Sequence, residues 1–357
     1  MSISIAGIGY CIPEGTLDNK AIISRYIDKL SKNLNKEDKD FLEYSIERKL
    51  DFLQIKSRHY CKDYKKENSV TLAVDAAKNA IKKSNVPLED IDLIICTGVT
   101  NPFKEPSFAT VIAHMIGLKK GNAFDISDTC NGFMKSLELT DLYINNNLAK
   151  NVLVVACESG IEVLDNKSAI LEIENIDEAD YKVSSLFAGT SAVAAVYTKP
   201  VSSKKVLFYE EFRSFDEWDS SVSMSPKADI PPFSKMSKTS SVFWSDGRKI
   251  ASKIISDMPN YIESVLKKHN IDKKNIKYVF SHQLGRNVTY SVLDSLGLDK
   301  DKMFPINTFT EYGNMGSCNI PIGIEFANEE GLLKPGDEFL LLSSACGLTF
   351  SVSYIVW

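Results

Sequence analysis

Three chemically useful residues occupy similar settings along the chain: Cys130, His282 and Asn314. Each follows a short apolar run and lies in a segment rich in small or polar residues. A cysteine can attack as a nucleophile, an imidazole can move its proton, and an amide can donate a hydrogen bond to a developing oxyanion. Taken singly, each residue is also explained by a structural role, as a core cysteine, a buried structural histidine or an asparagine in a turn. Their shared setting favours a single catalytic site.

The stretch around Cys130 is the most informative of the three. The apolar run at 123–126 predicts a strand, and a helix-compatible run extends from about 131 to 145. Between them, the Ser-Asp-Thr triplet at 127–129 supplies three competent helix N-caps. Cys130 is therefore expected in the first turn of a helix, where unpaired N–H groups and the helix dipole favour a thiolate.

Elements that would bring the three residues together alternate along the whole chain. Short apolar strands, among them Met303–Asn307, alternate with amphipathic helices, and residues 19–66 are predicted to be mostly helical. The element order repeats faintly, which divides the chain into an N-terminal half, residues 1–200, and a C-terminal half, residues 201–357. The alternation predicts an α/β fold with mainly parallel sheets covered by helices on both faces. Catalytic groups in such sheets gather at strand ends.

Composition excludes several classes of protein. The 357 residues are 44% hydrophobic and 25% charged, as in an ordinary globular protein, and contain neither a twenty-residue apolar span nor a signal-peptide pattern. A net charge of -5 argues against nucleic-acid binding. The seven cysteines are scattered, and with the four histidines they show no metal-ligand spacing. We expect a cytoplasmic protein that binds no metal, no membrane and no nucleic acid.

Longer motifs around the three residues resemble the thiolase superfamily, and within it the β-ketoacyl-acyl-carrier-protein synthase III branch. The matching segments are Ala123–Phe133, Ser281-His282-Gln283, Tyr312-Gly313-Asn314, Lys334-Pro335-Gly336-Asp337 and Ser344–Phe350. The resemblance covers nearly the full chain and implies the thiolase fold, a duplicated five-layered α/β/α/β/α architecture. It also implies a homodimer that transfers acyl groups from CoA or carrier-protein thioesters onto Cys130 without a further cofactor. The backbone N–H groups of Cys130 and Gly347 are the implied oxyanion hole.

Several positions depart from the pattern of the priming synthases. Gly285 replaces an asparagine that usually follows the His-Gln pair, which weakens an expected pantetheine contact. The glycine-rich loop near the C-terminus is reduced to Cys346-Gly347, and the Gly-Asp-Gly-Ala-Gly segment is replaced by 188–192. Glu105 is the departure with the greatest consequence, because the priming synthases present a large apolar residue to the partner subunit there.

The Glu105-Pro106-Ser107 loop looks like that of the head-to-head condensing enzymes, namely the photopyrone-type α-pyrone synthases and the first enzyme of the bacterial olefin pathway. In those families the matching glutamate reaches across the dimer as a base. The alternative for Glu105 is a solvated loop carboxylate.

The resemblance implies that an acyl group loaded on Cys130 undergoes a Claisen-type condensation with a second acyl or β-ketoacyl thioester held near His282 and Asn314. A malonyl donor decarboxylates, whereas any other donor needs a base, here Glu105. The product would be an α-pyrone, a diketide or a related compound. The alternatives are a decarboxylative synthase that uses malonyl carrier protein, an acyltransferase that forms an ester or amide, and a non-catalytic partner subunit. The last is disfavoured because both Cys130 and His282 are retained. Candidates for docking CoA phosphates or an acidic carrier protein are Lys56, Arg58, Arg248 and Arg286.

Overall fold

Strands and helices alternate along the chain. The structure is a computed structural model that describes residues 3–166, 173, 175–200, 204–224, 242–302 and 307–357. The strands within these ranges are β1 (Ile3–Cys11), β2 (Gly15–Asp18), β3 (Ser57–Tyr60), β4 (Leu93–Thr97), β5 (Asn122–Ile126), β6 (Asn151–Ser159), β7 (Thr190–Thr198), β8 (Lys205–Arg213), β9 (Ser221–Met224), β10 (Val242–Ser245), β11 (Ile276–Ser281), β12 (Glu338–Ala345) and β13 (Thr349–Val356). The α-helices there are α1 (Asn19–Leu30), α2 (Lys36–Leu53), α3 (Ser69–Ser84), α4 (Phe108–Ile116), α5 (Gly132–Asn145), α6 (Gly160–Asn166), α7 (Ala179–Lys182), α8 (Gly247–Lys268), α9 (Arg286–Ser295), α10 (Asn307–Tyr312) and α11 (Asn319–Glu329).

One long sheet contains strands from both halves of the chain. Over the described residues its order is β11-β12-β13-β8-β1-β7-β6-β4-β5. The halves join where β1 pairs with β8, over Ile3 with Val206 and Ser4 with Lys205. The predicted strand at 303–307 lies outside the described residues except for its last position, which begins α10. The boundary after residue 200 stays a prediction.

Helices cover both outer faces and also fill the middle of the molecule. Helices α3 and α4 pack on one side of the N-terminal strands, while α8 and α9 pack on the C-terminal strands. Between the two sets of strands lie α5 and α11, which contribute Phe133, Leu137 and Ile322 to a core shared with Ile95 and Phe339. Burial of each such side chain stabilises the fold by about 1.5–3 kcal/mol. The predicted α/β/α/β/α layering is therefore confirmed.

Strand direction differs from the prediction of mainly parallel sheets. Parallel pairing is found for β4 with β5, β4 with β6, and β11 with β12. Antiparallel pairing is found for β1 with β7, β1 with β8, β6 with β7, β8 with β13, and β12 with β13. The turn at 346–348 joins β12 directly to β13, and so short a connection permits only antiparallel strands. The prediction of mainly parallel sheets was wrong.

The sequence patterns also failed to predict several short strands. Strands β2 and β3 pair with each other, although β3 falls inside 19–66, which was predicted to be mostly helical. Strands β9 and β10 form a second small pair. Each of these strands has four residues, which is too few to display a clear alternation of apolar and polar side chains.

Helix α5 approaches β4 closely at its first residue. A Cβ atom placed on Gly132 would lie 1.8 Å from the Oγ1 atom of Thr97, which is fully buried. Glycine is therefore required where the helix that follows Cys130 crosses the sheet.

We predict that Gly132→Ala lowers the free energy of unfolding by about 1–3 kcal/mol or more, because the added methyl group overpacks a rigid contact. Urea unfolding monitored by circular dichroism measures the change. Gly247→Ala is the matched control, since Gly247 also begins a helix but a Cβ atom placed on it would have no neighbouring atom within 4 Å. Equal stability of the two variants would contradict the prediction.

Candidate active site

Cys130 lies in a tight turn between β5 and α5. Residues Thr129–Asn131 form one 3₁₀ turn, and Thr129 has a φ of +49°, a left-handed conformation that is costly for a β-branched residue. Neither Asp128 nor Asn131, which occupy the two cap positions, makes a side-chain cap, so the predicted capping was wrong. Other hydrogen bonds hold the turn.

Buried polar side chains fasten this turn to the C-terminal half. Asn131 is fully buried, and its Oδ1 accepts a 2.6 Å hydrogen bond from Oγ of Ser351 on β13. The Nδ2 of Asn131 donates to Oδ2 of Asp128 at 2.8 Å, and Arg213 on β8 donates to the other carboxylate oxygen at 2.6 Å. The Asp128 carboxylate, which was expected to cap the helix, therefore bonds to Arg213 of the C-terminal half instead.

His282 follows β11 and is buried. Its backbone N–H donates to the carbonyl of Leu342 at 2.9 Å, and only 4% of the residue is exposed. Within the described residues neither ring nitrogen has a hydrogen-bond partner of good geometry. Burial lowers the pKa of His282 to about 4, although the nearby side chain of Asn319 and backbone of Gly316 favour the protonated ring. The imidazole is therefore neutral at pH 7 and can accept a proton.

A mostly apolar cavity has His282 in its lining. It lies between the strands and the two outer helices α8 and α9. Apolar side chains that line it are Ile254, Met258, Leu284, Val288, Val292 and Leu342. Burial disfavours the charged form of His282, which is one of the residues that line this cavity.

Asn314 lies in the loop between α10 and α11, where its backbone is held from both sides. Its N–H donates to the carbonyl of Phe187 at 2.7 Å, and its carbonyl accepts from the N–H of Gly189 at 2.9 Å. The N–H of Gly316 donates to Oδ1 of Asn314 at 2.9 Å. This bond orients the amide and leaves its NH2 group to donate elsewhere.

Strand β3 supports the loop that carries Asn314. Oγ of Ser57 donates to the carbonyl of Glu311 at 2.7 Å. The ring of His59 stacks on Tyr312, with 4.9 Å between the ring centroids. The β2–β3 pair, which the sequence did not reveal, thus positions a candidate catalytic residue.

The thiol of Cys130 is not activated in the resting protein. The residue is partly exposed, yet burial of the thiol raises its pKa well above the usual range, and Cys346 and the carboxylate of Glu158 raise it further. The backbone N–H of Cys130 acts in the opposite direction but is outweighed. The expectation that the helix terminus yields a thiolate was wrong, because desolvation is the larger effect.

Glu158 is a site residue that the sequence reasoning missed. It lies near the end of β6, is 5% exposed, and accepts hydrogen bonds from Val99, Thr100 and Ser317. Burial raises its pKa to about 7 even though these bonds lower it. The available signal was an acid at the end of the apolar run 151–157, where a charge requires partners.

The loops of Cys130, His282 and Asn314 meet around Gly316 and Ser317. Gly316 bonds to the amide of Asn314, and its backbone lies against the ring of His282. Oγ of Ser317 donates to the carbonyl of Thr129, the residue before Cys130, at 2.9 Å. The three loops are therefore adjacent, and the catalytic roles of their residues stay predictions.

Gly347 and Glu105 are the other two residues predicted for catalysis, and they lie in two different loops. Gly347 lies in the turn after β12, has a φ of +91°, and has open space where a side chain would be. Its neighbour Cys346 is close enough to Cys130 to affect its thiol. Glu105 is exposed on the loop between β4 and α4.

Arg58 does not lie at the surface, so its assignment as a docking residue was wrong. The side chain is 0% exposed, and its Nη1 donates to Oδ1 of Asn19 at 2.9 Å. Burial lowers its pKa to about 10. A residue in the short strand β3, between the sheet and the Asn314 loop, cannot reach a phosphate in solvent.

The other three predicted docking residues are accessible to different degrees. Lys56 is exposed, and Arg248 is exposed while paired with Asp180. Arg286 is half-buried and donates to Oε1 of Gln54 at 2.9 Å. Their role in docking CoA or a carrier protein stays a prediction.

The backbone conformation at Gly285 favours glycine over the asparagine of the priming synthases. Its φ is +136°, and a Cβ atom there would lie 2.7 Å from Cδ2 of Leu53 on α2. The positive φ strains any residue that has a side chain, and a Cβ atom would also displace the end of the Leu53 side chain.

The fold and the gathered cysteine, histidine and asparagine loops define a condensing enzyme of the thiolase fold. The family model for 3-oxoacyl-[acyl-carrier-protein (ACP)] synthase III matches residues 124–208, and the model for the C-terminal part of that synthase matches residues 266–357. The β-ketoacyl-[acyl-carrier-protein] synthase III of Clostridium tetani is 30% identical over 307 residues, which cover 82% of this chain and 85% of that protein. The chain belongs to the β-ketoacyl-[acyl-carrier-protein] synthase III family and is an acyltransferase.

Solved structures share the fold along the whole chain. The synthase III of Aquifex aeolicus has a TM-score of 0.79 and 24% identity, covering 99% of this chain and all of that one. Cerulenin-bound OleA of Xanthomonas campestris has a TM-score of 0.82 and 21% identity, covering 100% of this chain and 97% of that one. These likenesses establish the fold.

Membrane-spanning helices and metal-binding clusters are both missing from the described part of the chain. Across those ranges, no helix is both long and apolar enough to cross a bilayer. Over the same residues, no group of three or more His, Cys, Asp or Glu side chains is arranged to hold a metal ion.

We predict that alkylation of Cys130 by iodoacetamide keeps accelerating as the pH rises through 9, because the raised pKa keeps the resting thiol protonated. Peptide mass mapping distinguishes Cys130 from the partly exposed Cys11 and Cys346, and Cys130→Ser gives the background. A rate that levels off below about pH 8 would show a resting thiolate and contradict the prediction.

We also predict a pH-dependent stability difference between the wild type and Glu158→Gln. Folding raises the pKa of Glu158 from an ordinary 4.5 to about 7, so the folded chain holds a proton that the unfolded chain has lost. The wild type gains its full relative stability below the unfolded pKa and loses about 3 kcal/mol of it as the pH rises to the folded pKa. Urea unfolding of both proteins between pH 4 and 8 measures this. A constant difference would refute it.

Proposed function

We propose that this enzyme loads an acyl group from a CoA or carrier-protein thioester onto Cys130 and condenses it, without decarboxylation, with a second acyl or β-ketoacyl thioester. The product would be an α-pyrone, a diketide or a related compound. The observation that carries the proposal is an exposed carboxyl, Glu105, on a loop anchored to the last strand of the sheet. OleA, whose structures include one with bound lauric acid and lauroyl-CoA and others with a glutamate replaced, supports it by likeness.

Loading requires a proton to leave the Cys130 thiol. Neutral His282 accepts this proton as the sulfur attacks the thioester carbonyl. The backbone N–H groups of Cys130 and Gly347 hold the tetrahedral oxyanion, each donor contributing about 3–4 kcal/mol. The carbon–sulfur bond to the carrier then breaks, and the carrier thiol leaves with a proton.

Condensation requires a carbon nucleophile. The carbonyl oxygen of the second thioester accepts hydrogen bonds from the NH2 group of Asn314 and from His282, which favours the enolate. Glu105 of the partner subunit removes the proton from the α-carbon. That carbon attacks the acyl group on Cys130, a carbon–carbon bond forms, and the Cys130 sulfur leaves.

A homodimer is part of the proposal because Glu105 is exposed on a loop at the edge of the sheet. Strand β5 ends the sheet and pairs on one side only within the described residues. Asp125 on β5 accepts the N–H groups of Phe108 and Ala109, which ties the start of α4, and so the Glu105 loop, to this edge. Met115 on α4 is 48% exposed. An open strand edge with exposed apolar side chains favours pairing with a second copy.

The second candidate is a decarboxylative synthase that uses malonyl carrier protein, and the names of the curated relatives favour it. It uses the same Cys130, His282 and Asn314 but needs no base. Release of labelled CO2 from a carboxyl-labelled malonyl thioester would establish it. An ester- or amide-forming acyltransferase would instead load Cys130 and form no carbon–carbon bond.

We predict that Glu105→Gln still acquires an acyl adduct on Cys130 but condenses two acyl thioesters at least about 100-fold more slowly, because the amide cannot accept the α-proton. Intact-mass spectrometry measures the adduct, and product mass spectrometry without a malonyl donor measures condensation. Lys104→Gln, in the same exposed loop, is the control and should turn over normally. Normal turnover by Glu105→Gln would exclude it as the base.

Mixing two inactive variants tests whether Glu105 acts across the dimer. After subunit exchange, Cys130→Ser and Glu105→Gln should regain about a quarter of the wild-type rate, since half of the dimers are mixed and each of those holds one complete site. No recovery in a mixture with demonstrated exchange would place the base within its own chain.

A further inference from the structure

Glu158 places a carboxyl group where the sheet is otherwise apolar. It lies one residue before the end of β6, after a run of fully buried side chains at 152–156. Removing a carboxylate from water is costly unless hydrogen bonds replace the lost hydration. The partners of this carboxyl therefore determine what it does.

Those partners come from two loops that are distant in sequence. Oε1 accepts the N–H groups of Val99 at 3.2 Å and Ser317 at 3.4 Å, and Oε2 accepts the hydroxyl of Thr100 at 3.1 Å. A Cβ atom on Gly316 would lie 2.6 Å from Oε1, so this carboxyl packs directly against the backbone of that glycine. One side chain thus joins the loop after β4 to the loop before α11.

Each of these contacts leads to a candidate catalytic residue. The loop of Thr100 continues to Glu105. Gly316, against which the carboxyl packs, holds the amide of Asn314 through its N–H. Ser317, whose N–H bonds to Glu158, donates its hydroxyl to the carbonyl that precedes Cys130. Glu158 therefore connects the elements that carry the nucleophile, the amide and the exposed carboxyl.

A second buried glutamate lies four residues further along the chain. Glu162 on α6 is also 5% exposed. It accepts the N–H of Cys61 at 2.7 Å and the hydroxyl of Thr190, and neither donor is one of the residues that Glu158 contacts. The two glutamates have matching burial and matching kinds of donor, so Glu162 is a control for loss of a buried carboxyl.

We propose that Glu158 is a positioning residue that sets the distance between the Cys130 turn and the Asn314 loop during condensation. The inference rests on the proposed function, in which an enolate held at Asn314 attacks the acyl group on Cys130. Bond formation requires the two carbons to approach closely, and small misplacements of reacting groups are costly in rate. Loading of Cys130 does not involve Asn314, so it depends less on this alignment.

The test compares Glu158→Gln with Glu162→Gln in the full-length enzyme. Three quantities are measured at pH 8: the rate of acyl adduct formation by intact mass, the rate of condensation by product mass spectrometry, and the melting temperature. For Glu158→Gln we expect loading at the wild-type rate or faster, because a negative charge near the thiol is removed. We expect condensation to fall about 10- to 100-fold, with the KM of the second thioester little changed. Glu162→Gln should keep the wild-type ratio of condensation to loading.

Each other result overturns the inference. A condensation rate of Glu158→Gln within about twofold of the wild-type rate would show that the contacts of the Glu158 carboxylate are dispensable, because misplaced reacting groups lower the rate by more than that. A structural role would be shown if the loading rate, the condensation rate and the melting temperature of Glu158→Gln all fell together, as they do when a protein partly unfolds. An acyl adduct that still forms on Cys130→Ala would instead overturn the proposed function, and with it the premise for Glu158.

Discussion

The geometry of the Cys130 turn depends on hydrogen bonds to the other half of the chain. Ser317 bonds to the carbonyl of Thr129 across 188 residues of sequence, and Ser351 bonds to Asn131 across 220. Each bond contributes only about 1 kcal/mol net, but a buried group left without its partner costs more. The strained turn at Thr129 is thus maintained by docking of the two halves. A half folded alone would lack the partners that shape its own nucleophile.

Burial is the main influence on the titratable groups Cys130, His282 and Glu158. It raises the pKa of the Cys130 thiol, lowers that of His282 to about 4, and raises that of Glu158 to about 7. Uncharged forms of the thiol and the ring therefore prevail before a substrate arrives. The same dry surroundings strengthen hydrogen bonds to charge that develops during reaction. The site is better suited to stabilising a transient oxyanion than to storing a permanent ion pair.

The exposed carboxyl of Glu105 is the feature on which the proposed condensation without decarboxylation depends. Family membership assigns acyl transfer and condensation, which one chain's Cys130, His282 and Asn314 serve in the proposed mechanism. The carboxyl near the open edge of the sheet lies outside that set. A base is needed when the donor thioester forms its carbon nucleophile by losing a proton and not by losing CO2. It would also make the complete site a property of the dimer.

Local patterns in the sequence were sufficient for the order of most elements and for the three loops that meet at Gly316. An apolar run at 123–126 predicted β5, a helix-compatible run from about 131 to 145 predicted α5, and the residue types pointed to Cys130, His282 and Asn314. Periodicity and residue type are local properties, so they can be read without knowing what packs where. Glu105, in contrast, stood out only through the resemblance to a known family.

Only the tertiary structure decided the features that depend on distant partners. Strand direction followed from which strands became neighbours, as with β13 between β12 and β8. The burial of Arg58, the protonated state of Cys130 and the contacts of Glu158 all follow from groups brought together by folding. Desolvation and hydrogen bonding act between groups that are close in space. The sequence around one residue therefore does not reveal which distant residues will surround it.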